Sequence, residues 1–149
     1  LDFGWLEGDD TDGHIDTLAR FCDENTIAYV KCEDKEDKHF YDLGDMEEEL
    51  KNLKNSEGKP YKLVPLPMAE AMYDPDGHRL PATYANFLII NGAVLLPFYN
   101  CPQDEIALQQ LTSAFPDKEV IGINCLPLIK QHGSLHCVTM QVPEGVLRK

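Results

Sequence analysis

The sequence predicts an α/β fold assembled from β-β-α-β repeats within one domain. Two apolar hairpins, each followed by a helical stretch and a returning strand, recur along the 149 residues. Recurrence of one supersecondary unit at a period of tens of residues marks an array such as a propeller. A hydrophobic content of 43% over that length supplies the core of one domain and not of two.

The first unit opens on His14-Ile15-Asp16-Thr17-Leu18-Ala19-Arg20-Phe21, whose alternating side-chain character predicts a strand. Asp23-Glu24-Asn25 is a turn signal, and Thr26-Ile27-Ala28-Tyr29-Val30 is the β-rich return. Residues 31–38 are mostly charged. From Phe40 to Leu53, Tyr41, Leu43 or Gly44, Met46 or Glu47, Leu50 and Leu53 fall at helical spacing, and Glu47-Glu48-Glu49 supplies a solvated face, which predicts a surface helix. Ser56-Glu57-Gly58-Lys59-Pro60 ends that helix, and Tyr61-Lys62-Leu63-Val64-Pro65-Leu66 is the third strand.

The second unit repeats the order. Tyr84 to Ile90 and Ala93 to Pro97 flank Asn91-Gly92, among the strongest short-range hairpin signals. Gln103 to Phe115 predicts a helix with Ile106, Leu108, Leu111 and Phe115 on one face. Pro116-Asp117 breaks it, and Lys118 to Ile123 returns as a strand. Between the units, Met68 to Pro81 carries Asp74-Pro75-Asp76-Gly77 and predicts an inserted hairpin or loop. A third copy begins at Gly133, with His136 to Val142 as another first strand cut short by Pro143. The units therefore run at about residues 13–67, 82–124 and from 133 onward.

Charge narrows the partners. A formal net charge of -13 and a pI near 4.6 repel phosphate backbones and anionic lipid, so neither nucleic acid nor a membrane surface is expected, and a cationic ligand suits the molecule. No apolar run approaches the roughly 18 residues of a membrane span. The start Leu1-Asp2-Phe3-Gly4-Trp5 has neither an initiator Met nor signal-peptide character, which predicts a processed product or a piece of a longer chain. Five irregularly spaced cysteines predict free thiols in a reducing, cytoplasmic setting.

Three places carry candidate chemistry. His14 and Asp16, two apart on a predicted strand, project from one face, and the turn Gly8-Asp9-Asp10-Thr11-Asp12-Gly13 sets the pair at the strand's mouth. An EF-hand reading of that turn fails at both ends, since its first position is Gly8 and its twelfth Ala19. The second place is His132-Gly133-Ser134-Leu135-His136-Cys137. Two histidines four apart suit zinc on a helix, and the Gly-Ser pair before a β-rich run argues against one, so no metal is expected. Cys137 is a nucleophile or a small core residue, and Cys22 and Cys125 read as core. Cys101 before Pro102 and Cys32 in the charged loop read as structural. The third place is Asn86, at the mouth of the second unit's first strand, facing the site or packing.

The stretches "GDDTDGHIDTLARF", "LPATYANFLIINGAVLLPFYN" and "HGSLHCVTMQVP" resemble the C-terminal portion of agmatine deiminases and of the related Porphyromonas-type peptidylarginine deiminases, in the guanidino-group-modifying (pentein) superfamily. The three motifs stand in family order and the resemblance spans nearly the whole chain. It implies a five-bladed α/β propeller around a central channel. It also implies that His14 is the catalytic histidine, Asp16 the guanidinium-binding carboxylate and Cys137 the nucleophile, with Asp10 and Gly133 joining Asp16 as substrate-binding positions. No cofactor is implied. The implied reaction is hydrolytic deimination, agmatine to N-carbamoylputrescine and ammonia through a thiouronium on the cysteine. Peptidylarginine or arginine as substrate, an amidinotransferase with an amine acceptor, and a non-catalytic propeller fragment are the alternatives. Only Arg20, Arg79 and Arg148 are present to hold an α-carboxylate, which favours agmatine. Family chains are more than twice this long, and their N-terminal half supplies a second guanidinium-binding Asp, a Glu near the histidine and aromatic channel residues. The missing blades are then expected from upstream chain or from a second chain, a homo-oligomer being one such arrangement, and the segment alone is expected to be inactive.

Overall fold

The two full predicted units each close as a three-stranded mixed sheet with one helix crossing between the parallel strands. The computed structural model describes residues 1–9, 13–143 and 145–146. In the first unit β1 (Ala19–Phe21) pairs antiparallel with β2 (Thr26–Lys31), α1 (Phe40–Asn52) crosses, and β3 (Lys62–Pro67) pairs parallel with β2. The second repeats this with β4 (Leu88–Ile90), β5 (Ala93–Phe98), α2 (Gln103–Ala114) and β6 (Glu119–Asn124), after which comes the short α3 (Leu126–Ile129). The strand orders are β1-β2-β3 and β4-β5-β6. Gly92 turns the second hairpin with a φ of +83°, a conformation that glycine adopts without steric cost.

The central strands β2 and β5 are buried on both sides, and the core gathers Ala28, Val30, Leu66, Val94 and Leu96 with Leu43, Met46 and Leu50 of α1. Burying one such aliphatic side chain contributes about 1.5–3 kcal/mol, so these strands anchor their units. The predicted face of α1 narrows to Leu43, Met46 and Leu50, with Tyr41 turned to solvent. The inward stripe of α2 is Asp104, Ala107, Leu111 and Ala114, and Ile106 is exposed, a rotation from the predicted face. Two alanines on that stripe let α2 lie against both β3 and β6, joining the units. No helix of the described residues is long and apolar enough to cross a membrane.

Residues 1–9 form a strap held by acceptors on or beside α1. Gly4 N–H donates to Asp42 Oδ2 at 2.9 Å, and Glu7 N–H to His39 Nε2 at 2.9 Å. Residues 68–81 form the predicted hairpin, bridged at Tyr73 and Arg79, with Asp74 Oδ1 accepting from the amides of Asp76 and His78. Arg79 Nη1 reaches back to Asp37 Oδ2 at 2.8 Å, and the Arg79 carbonyl lies 2.1 Å from where a Cβ on Gly8 would stand. Insertion and strap are thereby locked together.

Three strand expectations need correction. Of His14–Phe21 only Ala19–Phe21 is strand, and Ile15–Thr17 forms a 3₁₀ turn closed by Leu18 N–H on Ile15 O at 3.0 Å. Likewise Tyr84–Asn86 is a 3₁₀ turn, capped by Thr83, whose Oγ1 accepts from Ala85 N–H. The third first strand, His136 to Val142, is not formed. His136–Val138 is another 3₁₀ turn, and no described residue offers the stretch after it a ladder partner. A strand without a partner leaves its amides without a ladder, and here those of His136 and Cys137 donate to Asn86 Oδ1 and that of Thr139 to His136 O.

Candidate active site

The three 3₁₀ turns bring the candidate residues together. Asp16 and Cys137 are the middle residues of the first and third turns, and Asn86 closes the second. Asn86 is fully buried, and its amide bridges the other two. Its Nδ2 donates to Asp16 Oδ2 at 3.0 Å and to Asp16 O at 3.2 Å. Its Oδ1 accepts from the His136 amide at 2.8 Å and the Cys137 amide at 3.3 Å, and stands 3.5 Å from Cys137 Sγ. One side chain thus fixes a carboxylate and a thiol at hydrogen-bond distance from itself.

Asp16 Oδ2 is crowded. Besides Asn86 it faces His136 Nδ1 at 2.7 Å and Cys137 Sγ at 3.9 Å. A carboxylate only accepts, so Nδ1 of His136 carries the proton in that contact. Asp16 Oδ1, by contrast, is buried with no partner among the described residues. A buried acceptor without a donor costs about 1–3 kcal/mol, and a planar cation with several N–H groups is the ligand that removes the cost.

Cys137 is the exposed member of the five free cysteines. Burial pushes the Cys22 thiol up to about 11 and raises those of Cys32 and Cys125, which disfavours their thiolates. Gly133 backs onto the nucleophile candidate: a Cβ there would lie 3.1 Å from Cys137 Cβ and 3.5 Å from Sγ. Arg20, on β1, donates to Phe87 O at 2.9 Å with its guanidinium 5.2 Å from the centre of the Phe87 ring. Burial lowers its pKa, opposed by the charges of Asp16, Cys22 and Cys137, so a fixed cation stands behind the cluster.

His14 caps the first turn in extended backbone with its ring exposed, and its carbonyl accepts from Thr17 Oγ1 at 3.5 Å. It neighbours Asp16 through that turn, not through the shared face of a strand. Asp10 lies outside the described residues. His132 and His136 are held on separate partners: the His132 ring, at a φ of +63°, donates from Nδ1 to Gly8 O at 3.0 Å, whereas His136 faces Asp16. The sequence left Asn86 open between packing and the site, and it weighed His136 only as a zinc ligand. The signal for Asn86 was its place in the second unit, equivalent to Thr17 in the first.

Comparison with known proteins identifies the chain's relatives. A family model described as Porphyromonas-type peptidyl-arginine deiminase matches residues 1–143. The "Putative agmatine deiminase" of Marinomonas sp. (strain MWYL1) is 30% identical over 155 residues, covering 93% of this chain and 42% of the relative. Among solved structures, the "Putative Arginine Deiminase from Porphyromonas gingivalis" superposes with a TM-score of 0.95 at 65% identity, over 99% of this chain and 43% of that one. C. jejuni agmatine deiminase superposes with a TM-score of 0.82 at 47% identity, over 92% and 39%. The chain spans about two fifths of the length of these proteins.

Proposed function

The chain belongs to the Porphyromonas-type peptidyl-arginine deiminase family, and from that premise we propose that it is the nucleophile-bearing portion of a guanidino-group deiminase acting on agmatine. The observation that carries this reading is the buried Asp16 Oδ1, without a partner among the described residues, beside an exposed cysteine held on Asn86. A guanidinium on Asp16 has its N–H groups paired and its carbon presented to Sγ, the positioning that turns addition into a unimolecular step.

In the proposed reaction Cys137 adds to the guanidinium carbon as a thiolate and gives a tetrahedral adduct. His14 donates a proton to the departing nitrogen, the C–N bond breaks, and ammonia leaves a thiouronium on sulfur. Water, deprotonated by His14, then adds to that carbon. Collapse expels the Cys137 thiolate and releases the ureido product, N-carbamoylputrescine from agmatine.

Agmatine over arginine is supported by charge. A chain of net charge -13 suits a dication. Arg20 donates to Phe87 O and Arg79 is paired with Asp37, so each already has a partner within the chain. Completion of a five-bladed propeller by further blades, from upstream chain or a second copy, is part of the proposal. Its support is the apolar surface left at Ile15, Phe21 and Leu53, which lines a cleft of about 320 Å³ with Leu1 and Leu50. A cytoplasmic location follows from the free thiols that the chemistry requires.

The test measures ammonia and ureido product from agmatine, arginine and a blocked arginyl peptide, using this chain alone and joined to the upstream blades of its relatives. Turnover of agmatine by the joined form and little by the segment is expected. A folded full-length chain inert towards all three compounds overturns the deiminase reading, and preference for the peptide overturns the substrate.

A further inference from the structure

We infer that the Tyr99 hydroxyl is a positioning group for the nucleophile, clamping the segment that carries Cys137 to the turn that carries Asp16 through Ser134, Thr83 and Thr17. The inference rests on the reading of Cys137 and Asp16 given above and adds a residue outside the reacting cluster. Tyr99 follows β5 and is 1% exposed, yet its hydroxyl lies in the core. A phenol has one proton and two lone pairs. Thr83 N–H donates to it at 3.1 Å and Thr83 O accepts from it at 2.8 Å, so the Ser134 hydroxyl, also at 2.8 Å, is the second donor. Every valence of the hydroxyl is used by protein. Thr83 Oγ1 then donates to Thr17 O at 2.7 Å.

The partners show what the hydroxyl is for. Thr17 adjoins Asp16, Thr83 caps the turn that ends in Asn86, and Ser134 precedes Cys137 in the same loop. None of the three lies in β1–β6, and of them Thr83 alone makes a β-bridge, to Met68 past the end of β3. A phenylalanine would fill the same volume, and a buried hydroxyl is tolerated only because it is bonded. Displacement of Ser134 is transmitted to the nucleophile by contact, since Gly133 lies against Cys137 Cβ with only the room a missing Cβ leaves. Asn86 bridges Asp16 and Cys137 directly, and Tyr99 bridges the backbone segments beside them.

The experiment uses the full-length chain with Tyr99→Phe, Ser134→Ala and the double variant, and Leu111→Val as a core control remote from the site. Steady-state kcat and KM for agmatine, Tm, and the rate of Cys137 alkylation by iodoacetamide are measured. Loss of the clamp misplaces the nucleophile and leaves Asp16 in place, so kcat is expected to fall about tenfold or more with KM within about threefold. The double variant should be no worse than the weaker single, because both break one link. The alkylation rate should change by at least about threefold as Sγ leaves its place beside Asn86 and Asp16. Leu111→Val should lower Tm with kcat kept. If Tyr99→Phe does not fold, Ser134→Ala decides alone. A lowered Tm with unchanged kcat and unchanged alkylation overturns the clamp, as does a rise in KM alone. Should the wild-type chain turn over no guanidine, the deiminase reading falls and the alkylation arm still decides this one.

Discussion

Replacing Asp16 with asparagine separates charge from shape. The Asp16 carboxylate accepts at Oδ2 from Asn86 Nδ2 and from the His136 ring, and its Oδ1 is buried without a partner among the described residues. In Asp16→Asn the amide oxygen takes the Oδ2 place, where both donors still find an acceptor, so the fold has no reason to change. The NH2 group then occupies the Oδ1 place and points a donor at a cation that has only donors to offer. A hydrogen bond to a charged group contributes about 1.5–3 kcal/mol. Its loss lowers kcat/KM by roughly tenfold to 150-fold. Misplacement of the guanidinium carbon relative to Sγ, 3.9 Å from Oδ2 in the free site, adds to that loss. The assay is steady-state ureido product formation from agmatine by the full-length variant, with circular dichroism to establish folding. Cys22→Ser is the comparison, since Cys22 is half-buried on the first hairpin with no reacting role, and it should retain activity. Folded Asp16→Asn with near wild-type kcat/KM would refute the guanidinium contact.

Gly133→Ala places a Cβ 3.1 Å from Cys137 Cβ, and kcat should drop about tenfold with little change in Tm, an outcome read by kinetics beside thermal melting. Iodoacetamide at pH 8 followed by peptide mass spectrometry should label exposed Cys137 ahead of Cys22, whose thiol sits at about 11, and prior labelling of Cys22 would contradict the exposure argument. His39 is buried and accepts from Glu7 N–H at Nε2, so burial holds its pKa below the usual 6.5 and the folded state binds fewer protons than the unfolded one in that range. Its stabilisation is then complete above 6.5 and lost as pH falls towards the depressed folded value. Melting temperatures of wild type and His39→Gln between pH 8 and 5 should converge as pH falls, and parallel curves would exclude the linkage.

The sheets and helices were legible because their signals are long. Thr26–Lys31 and Ala93–Phe98 are continuous apolar runs at buried central positions, and Phe40–Asn52 shows three buried residues at helical spacing. The 3₁₀ turns were not legible. Three residues such as Ile15-Asp16-Thr17 alternate in character equally well in a turn or a strand, and only the tertiary environment decides. The inward face of α2 was misread because packing beside β3 and β6 favours its alanines over the larger Ile106. Asp16 and Cys137 were singled out from motif alone, whereas the link between them depends on Asn86, a residue type at home in many turns.

The separations of the bonded pairs order the assembly of this chain in time. Each sheet closes over a few dozen residues, while the Thr17–Thr83, Asp16–Asn86 and Asp16–His136 contacts join groups 66, 70 and 120 residues apart. Closing longer loops is entropically later work, so the units gain structure first and the carboxylate meets the thiol only when they dock. The Asp16–Asn86–Cys137 geometry then exists only in a chain whose folding is finished, and a half-assembled molecule carries a thiol and a carboxylate that have not yet met.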